Sequence, residues 1–238
     1  MIVYPKNWDE IGQPIQIKKI EKTILETIEA IGCNCLAFSG GLDSSLLLYF
    51  MYQVFSDVKT FTIGLSNSHP DVKYSIKVAS QFTNVSHNVY IPTLKQRSEA
   101  KHKNDFAGDN AVRLFYKFVG TFTEEIISGD GIDEFMCGYY KHQESPSEEV
   151  YFDYMRRLQK EQLAPLNKNS GKIKVHLPYL DSKLILLLSQ IPLTDKADIN
   201  CRKKIMIQLA KGKVSDEVIG RRKYGFCDAF KDKEIENV

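Results

Sequence analysis

Ile17, Ile20, Ile24, Ile28 and Ile31 recur at the spacing of one helical face, with Lys18, Lys19, Glu21, Lys22 and Glu26 between them. A stripe of that kind buries one side and wets the other, and it predicts an amphipathic helix ending at Gly32. Residues 35–39 are largely apolar and read as a buried strand, followed by a glycine turn and an apolar helix through Phe55. Residues 58–63 read as a second strand, 70–82 as a helix opened by Pro70 and Asp71, and 85–91 as a third strand. Residues 109–119 read as a helix and 125–128 as a fourth strand. Strands alternating with helices predict an α/β fold built on a doubly wound parallel sheet. Ligands of such sheets bind at the carboxyl ends of the strands, beside the point where strand order reverses. Three segments fall at strand ends: 39–45, Ile63-Gly64 and 128–134.

Between the third strand and the next helix, residues 93–110 are polar and Lys-rich and read as a mobile loop. After Tyr139 the strand pattern disappears. Residues 150–163, 182–191 and 200–210 read as helices joined by Pro165, Pro178 and Pro192. The expected organisation is an α/β part with an N-terminal helix over 1–140 and a mainly helical part over 141–238 that completes the same domain. The last twenty residues, basic at Arg221-Arg222-Lys223 and acidic near Glu234, read as a loop or frayed tail.

Composition narrows the classes. With 238 residues and a net charge of +2, the chain fits one large domain and lacks the strong basic bias of a nucleic-acid binder. No apolar run reaches the length of a membrane span, and the polar N-terminus is not a signal peptide. Five cysteines without a disulfide rhythm, Cys33-Asn34-Cys35 among them, read as plain thiols in a reducing cytoplasm. The five histidines show no metal-ligand spacing.

The chemistry concentrates in the strand-end turns. In Ser39-Gly40-Gly41-Leu42-Asp43-Ser44-Ser45, paired glycines let the backbone N–H groups converge at the start of a helix, an anion cradle suited to phosphates. Asp43 adds a carboxylate where Mg²⁺ accompanying those phosphates can sit. A Walker loop needs a Lys after its last Gly, yet none occurs between Lys22 and Lys59; a dinucleotide fingerprint needs a third Gly. In Ser128-Gly129-Asp130-Gly131-Ile132-Asp133-Glu134, three carboxylates in five residues repel one another unless a cation joins them. Asp43 and Asp133 thus read as a shared Mg²⁺ site, leaving Asp130 as a base or a stabiliser of a cation.

The first turn resembles the Ser-Gly-Gly-x-Asp-Ser signature of the PP-loop ATP pyrophosphatases, of the adenine nucleotide alpha hydrolase-like fold. The two turns together resemble the synthetase domain of the glutamine-hydrolysing asparagine synthetases and their β-lactam synthetase relatives. Further matches are Thr62-Ile63-Gly64, Pro178-Tyr179-Leu180-Asp181 and Arg222-Lys223-Tyr224-Gly225-Phe226, so the resemblance spans residues 17–227. Other PP-loop groups, the NAD and GMP synthetases and the tRNA thiolation and lysidine enzymes, share the first turn without the acidic second one. The resemblance implies that ATP is held by Ser39, Gly40, Gly41, Leu42, Asp43, Ser44 and Ser45, by Ile63 beside the adenine, and by Ser128 and Gly129. It implies Asp130 as acid/base and Lys223 as the lysine that closes over the phosphates. Lys204 corresponds to a second basic residue of the family, with Lys203 competing for the role. The implied reaction is adenylation of a small carboxylate, aspartate favoured, with release of pyrophosphate, then attack by ammonia to form an amide.

The pattern departs from the family at several places. No glutaminase domain with its N-terminal cysteine is expected, the sequence opening Met1-Ile2-Val3; ammonia is expected free or from a separate glutaminase chain, or is replaced by another amine. Met136-Cys137-Gly138-Tyr139 replaces Phe-Gly-Gly-Tyr, His176 stands where the family has Arg, and the segment 141–175 is short. These changes are expected around the pocket for the acid. The alternatives are an adenylating ligase for another small acid or a tRNA base, and a nucleotide-binding subunit that has lost catalysis. Monomer and homo-oligomer are both open, and no nucleic-acid or membrane partner is expected.

Overall fold

The computed structural model describes residues 17–230. Helix α1 (Ile17–Ile31) buries Ile20, Ile24 and Ile28 on the predicted stripe and stops at Gly32, whose φ of +70° is open to glycine. The chain then alternates: β1 (Cys35–Ala37), α2 (Leu42–Val54), β2 (Val58–Ile63), α3 (Pro70–Ala79), β3 (Val85–Tyr90), α4 (Leu94–Glu99), α5 (Asp109–Val119) and β4 (Glu125–Ile127). Beyond β4 come the short helices α6 (Ile132–Phe135) and α7 (Tyr140–Glu144), then α8 (Glu148–Arg157), α9 (Ala164–Asn169) and β5 (Lys174–His176). Four more helices follow: α10 (Ser182–Ser189), α11 (Leu193–Lys196), α12 (Lys204–Ala210) and α13 (Asp216–Ile219).

The five strands form one parallel sheet in the order β3-β2-β1-β4-β5. The chain runs outward from β1 to β3, then returns to lay β4 on the other side of β1. Order therefore reverses between β1 and β4, and the right-handed crossovers on the two sides place helices on both faces. The turns after β1 and β4 are the two glycine-bearing motifs, so both open into the same crevice.

Three expectations need correction. Strand signal does not end at Tyr139: β5 pairs with β4, Ile126 opposite Val175, and His176 Nε2 lies 2.9 Å from Glu125 Oε2. Three residues between polar neighbours on a sheet edge are too few for a period to register. Residues 93–110 are not one loose loop, because Thr93 and Gln96 close a capping box that starts α4. Arg113 then pins the following stretch through the Ala100 carbonyl and Asp105. Pro165 does not separate two helices. It lies in a continuous helical run from Glu148 to Asn169, and it lacks the N–H that would reach the Glu161 carbonyl. The turn before it, Leu158–Leu163, relaxes to π geometry, and Ala164 N–H accordingly reaches back to Gln159 O.

A single buried cluster runs from Ile20, Leu36 and Phe61 to Tyr179, Leu188 and Leu209. All five cysteines are free thiols. Among the described residues no helix is long and apolar enough to cross a membrane.

Candidate active site

The first turn is shaped by what presses on it. Gly40 has φ +66°, and a Cβ there would lie 2.5 Å from the backbone of Tyr74 and Ser75 in α3. Only glycine meets both demands. Gly41 then caps α2 without a side-chain bond, Ser39 Oγ accepts from Gly41 N–H at 3.3 Å, and Ser44 Oγ lies 3.2 Å from Ser39 Oγ. Amides at the start of a thirteen-residue helix thus face the crevice. Leu42 begins that helix; Ser44 and Ser45 are buried in its first turn, and Ser45 Oγ has no partner among the described residues.

The second turn continues β4, with Ser128 N–H bonded to His176 O at 2.9 Å. Gly129 lies against Leu47, Tyr179 and Asp43 of the first turn's surroundings. Gly131 takes φ +92° and opens α6. Ser128 Oγ donates to Asp130 Oδ2 at 2.6 Å. Burial pushes the Asp130 carboxyl above its usual range; the Ser128 bond opposes this and the Asp133 charge adds to it.

Asp43 and Asp133, from the two turns, meet at one ammonium. Lys203 Nζ pairs with Asp43 and lies 2.6 Å from Asp133 Oδ1, its side chain only 4% exposed. Lys223 Nζ pairs with the other oxygen of Asp133 and sits 4.4 Å above the Tyr139 ring. Burial alone would raise the Asp133 carboxyl, but the two lysines outweigh it and hold it well below the carboxylate range. Burial likewise opposes the Lys203 charge, and Asp133 and Asp43 overcome it. A Cβ on Gly138 would stand 1.7 Å from Asp133 Oδ1 and 2.3 Å from Lys203 Cε, so this glycine makes room for the cluster.

Of the two adjacent lysines Lys203 reaches the carboxylates, and Lys204 does not line the cavity. Lys203 precedes α12 in the left-handed region (φ 57°) and points inward; Lys204, the first helical residue, turns out to Asp198 and the Thr194 carbonyl. Of the two readings of the C-terminal segment, the loop holds as far as residue 230, and residues 231–238, Glu234 among them, lie outside the described residues. Residues 219–227 line the cavity, and Arg221 Nη1 donates to Ser39 O at 2.9 Å while its other arm pairs with Asp71. Arg221 is the residue missed by sequence reasoning. Its signal is the arginine pair Arg221-Arg222 at the head of the matched run, of which only Arg222 was taken into the resemblance.

The cavity between the turns has a volume of about 840 Å³. Ser39, Gly41, Leu42, Asp43, Ser44, Ile63, Ser128, Gly129, Asp130, Asp133, Lys203 and Lys223 all line it. Ile63, Phe61, Phe115 and Phe226 give the cavity apolar lining suited to a flat ring, with the Phe115 and Phe226 ring centroids 5.7 Å apart, and the carboxylates and lysines give it charged lining. Tyr179 from the Pro-Tyr-Leu-Asp segment braces the first turn by donating to Asp43 O at 3.0 Å. The departures at Cys137 and His176 do not line the cavity. Cys137 is fully buried with φ 56°, where glycine is the relaxed choice, and His176 sits at the sheet edge on Glu125.

Magnesium fits the donor set on one observation: Asp43 Oδ1 is buried and makes no hydrogen bond. Among the described residues no three His, Cys, Asp or Glu side chains gather at one point, so protein ligands alone do not complete a hexacoordinate shell.

Residues 33–174 and 167–237 match the family model described as asparagine synthase. Similar curated proteins include the glutamine-hydrolysing asparagine synthetase of Gallus gallus, 25% identical over 226 residues, covering 84% of this chain and 40% of the relative. The corresponding protein of Mus musculus is 27% identical over 194 residues, covering 72% and 34%. A probable asparagine synthetase of Acanthamoeba polyphaga mimivirus is 24% identical over 221 residues, covering 83% and 40%. The chain thus spans about 40% of the length of its first curated relatives. A solved NH3-dependent NAD synthetase from Campylobacter jejuni is 16% identical, with a TM-score of 0.42 over 85% of this chain and 99% of that one. With both glycine turns placed in one crevice and the family model matching residues 33–237 without a gap, the chain belongs to the asparagine synthase family.

Proposed function

We propose that the chain is an AMP- and pyrophosphate-forming amide ligase that adenylates a small carboxylate, aspartate favoured, for attack by ammonia. The observation that carries this reading is the meeting of Asp43 and Asp133 at Lys203, with Asp130 and Lys223 lining the same cavity. ATP would lie with its base toward Ile63 and Phe115 and its phosphates in the Ser39–Ser45 cradle. Asp43 and Asp133 would hold Mg²⁺, which supplies charge neutralisation on the triphosphate when bound.

The substrate carboxylate attacks the α-phosphorus, and the bond to the β-phosphate bridging oxygen breaks, leaving acyl-adenylate and pyrophosphate. The chain's contribution is to stabilise charge on the leaving group. Backbone amides of the first turn are fixed in place before the reaction, and the ammonium groups of Lys203 and Lys223, carried beside Asp43 and Asp133, add positive charge to the same cavity. Ammonia then adds to the acyl carbon, AMP leaves, and a proton must be removed from nitrogen. Asp130 is suited to accept it, since burial raises its affinity for a proton and Ser128 fixes one of its oxygens. Relatives described as glutamine-hydrolysing support glutamine-derived ammonia as the nitrogen source, with free ammonium as the other.

The test is ATP–pyrophosphate exchange over a panel of amino acids, followed by amide formation with ammonium. Exchange with aspartate and formation of asparagine support the reading. Exchange only with another acid moves the substrate, and binding of ATP without exchange favours a nucleotide-binding subunit. Asp130→Ala is expected to lower amide formation far more than exchange; equal loss in both would remove it from the proton-accepting role.

A further inference from the structure

Lys223 reaches the cavity on an irregular strap, residues 220–225, and the strap hangs from the side chain two residues earlier. Arg221 Nη1 donates to the carbonyl of Ser39, the first residue of the glycine turn, at 2.9 Å. Its Nη2 pairs with Asp71, in the first turn of α3, and the two side chains are only 5% and 11% exposed. The guanidinium carbon lies 4.5 Å from the Tyr74 ring centroid and 5.5 Å from that of Tyr224. The same stretch of α3 presses on Gly40, within 2.5 Å of where a Cβ would be. One buried cation therefore joins three bodies: the nucleotide turn, α3 and the strap. An arginine is needed because only a planar fork offers two fixed donors to a carbonyl and a carboxylate at once. Burying such a pair costs desolvation and gives little net stability, so its return is geometric definition.

We propose that Arg221 is a positioning residue that ties the glycine turn to the strap, so that Lys223 and the phosphate cradle are held in mutual register. The inference rests on the adenylation reading above for its catalytic consequence, and on the joint alone for its mechanical one. Arg221 acts through Ser39 and Lys223, and its loss slows the chemical step while leaving ATP affinity nearly unchanged.

Two measurements on the full chain test this. In the ligand-free protein, hydrogen–deuterium exchange of Arg221→Gln is expected to show loss of protection together at residues 39–42 and 222–228. Lys223→Ala is expected to leave 39–42 protected. Loosening of the strap alone in Arg221→Gln overturns the coupling. In ATP–pyrophosphate exchange, Arg221→Gln is expected to lower kcat by about 100-fold, the cost of a small misplacement, with KM for ATP little changed. Asp71→Asn should lose a similar factor, and the double variant should lose no more than the worse single one. A raised KM for ATP with a silent Asp71→Asn overturns the proposal, because Arg221 would then be a nucleotide contact. If Arg221→Gln fails to fold, Arg221→Lys keeps the charge and gives up the fork; wild-type kcat in that variant overturns the need for the joint. Absence of exchange in the wild type with every acid sinks the adenylation reading, and the hydrogen-exchange arm still decides the joint.

Discussion

Lys203 and Lys204 are adjacent in sequence and serve opposite surfaces. Which of the two faces the carboxylates depends on where α12 begins, and composition cannot fix a helix boundary to one residue. Their removal should differ accordingly. Lys203→Ala leaves Asp43 and Asp133 buried without their shared cation and is expected to cost about 3–5 kcal/mol in urea unfolding. Lys204→Ala, at a half-exposed pair with Asp198, should stay within about 0.5 kcal/mol. The same reasoning predicts loss of ATP–pyrophosphate exchange in Asp43→Asn, since the amide keeps the shape and removes the charge that cation and phosphates require; retained exchange would refute the metal assignment. Lys196 shows how little of a buried environment a sequence reveals. It is flanked by Thr194, Asp195 and Asp198, yet it is 2% exposed, donates to the Tyr151 hydroxyl at 2.8 Å and lies 4.5 Å from that ring. Burial lowers its pKa to about 7, partly opposed by the Cys137 thiol. In the unfolded chain it titrates near 10.4. Between those values the unfolded state binds the extra proton, so stability should rise with pH by up to about 1.4 kcal/mol per unit and level off above the upper one. Below about 7 both states are protonated and this contribution is flat. Unfolding followed against pH should show that slope in the wild type and its absence in Lys196→Met.

Among elements, legibility followed the length of the repeating pattern. The five-isoleucine stripe of α1, the six-residue β2 and the eleven-residue α5 have the bounds their periodicity predicts. The three-residue β5 and the strap over the cavity were not legible, because each is held by partners distant in sequence, and the six-residue α4, though opened by the local Thr93–Gln96 capping box, is too short for a period to register. The glycine turn lies between these cases: its residues announce an anion cradle, but the reason Gly40 is required appears only when α3 packs against it. Gly40→Ala should therefore fail twice. A left-handed alanine costs about 1–2 kcal/mol, and its Cβ would overlap backbone atoms of Tyr74 and Ser75 that cannot rotate away. Calorimetry should find ATP binding lost, with a lowered melting temperature, while Gly171→Ala, a left-handed glycine with no atom near its missing Cβ, should lose only the conformational part. Equal effects at the two sites would show that the approach of α3 is unimportant.

Over the whole molecule, the core runs across residue 140, where the helical part begins. Helix α1 packs on α2 from the first part and on α10 and α12 from the second, and β5 extends the sheet beyond β4. The site crosses the same line: the cradle, Asp43, Asp130 and Asp133 come from before it, and Lys203, Tyr179, Arg221 and Lys223 from after it. Cutting there would expose Ile20, Ile24 and Ile28 in part, leave one edge of β4 unpaired and strand two buried carboxylates without lysines. Each buried aliphatic side chain returned to water forfeits about 1.5–3 kcal/mol, and a domain's net stability is only about 5–15 kcal/mol. The fragment 1–140 is therefore expected not to fold, giving weak circular dichroism and no cooperative melt, and the full chain should unfold in urea in one transition seen alike by fluorescence and dichroism. A cooperative melt of the isolated fragment would instead establish 1–140 as an autonomous nucleotide domain. The helical part would then be a separate body, and its lysines would reach the phosphates by docking, a slower step that would appear as a lag between ATP binding and pyrophosphate release.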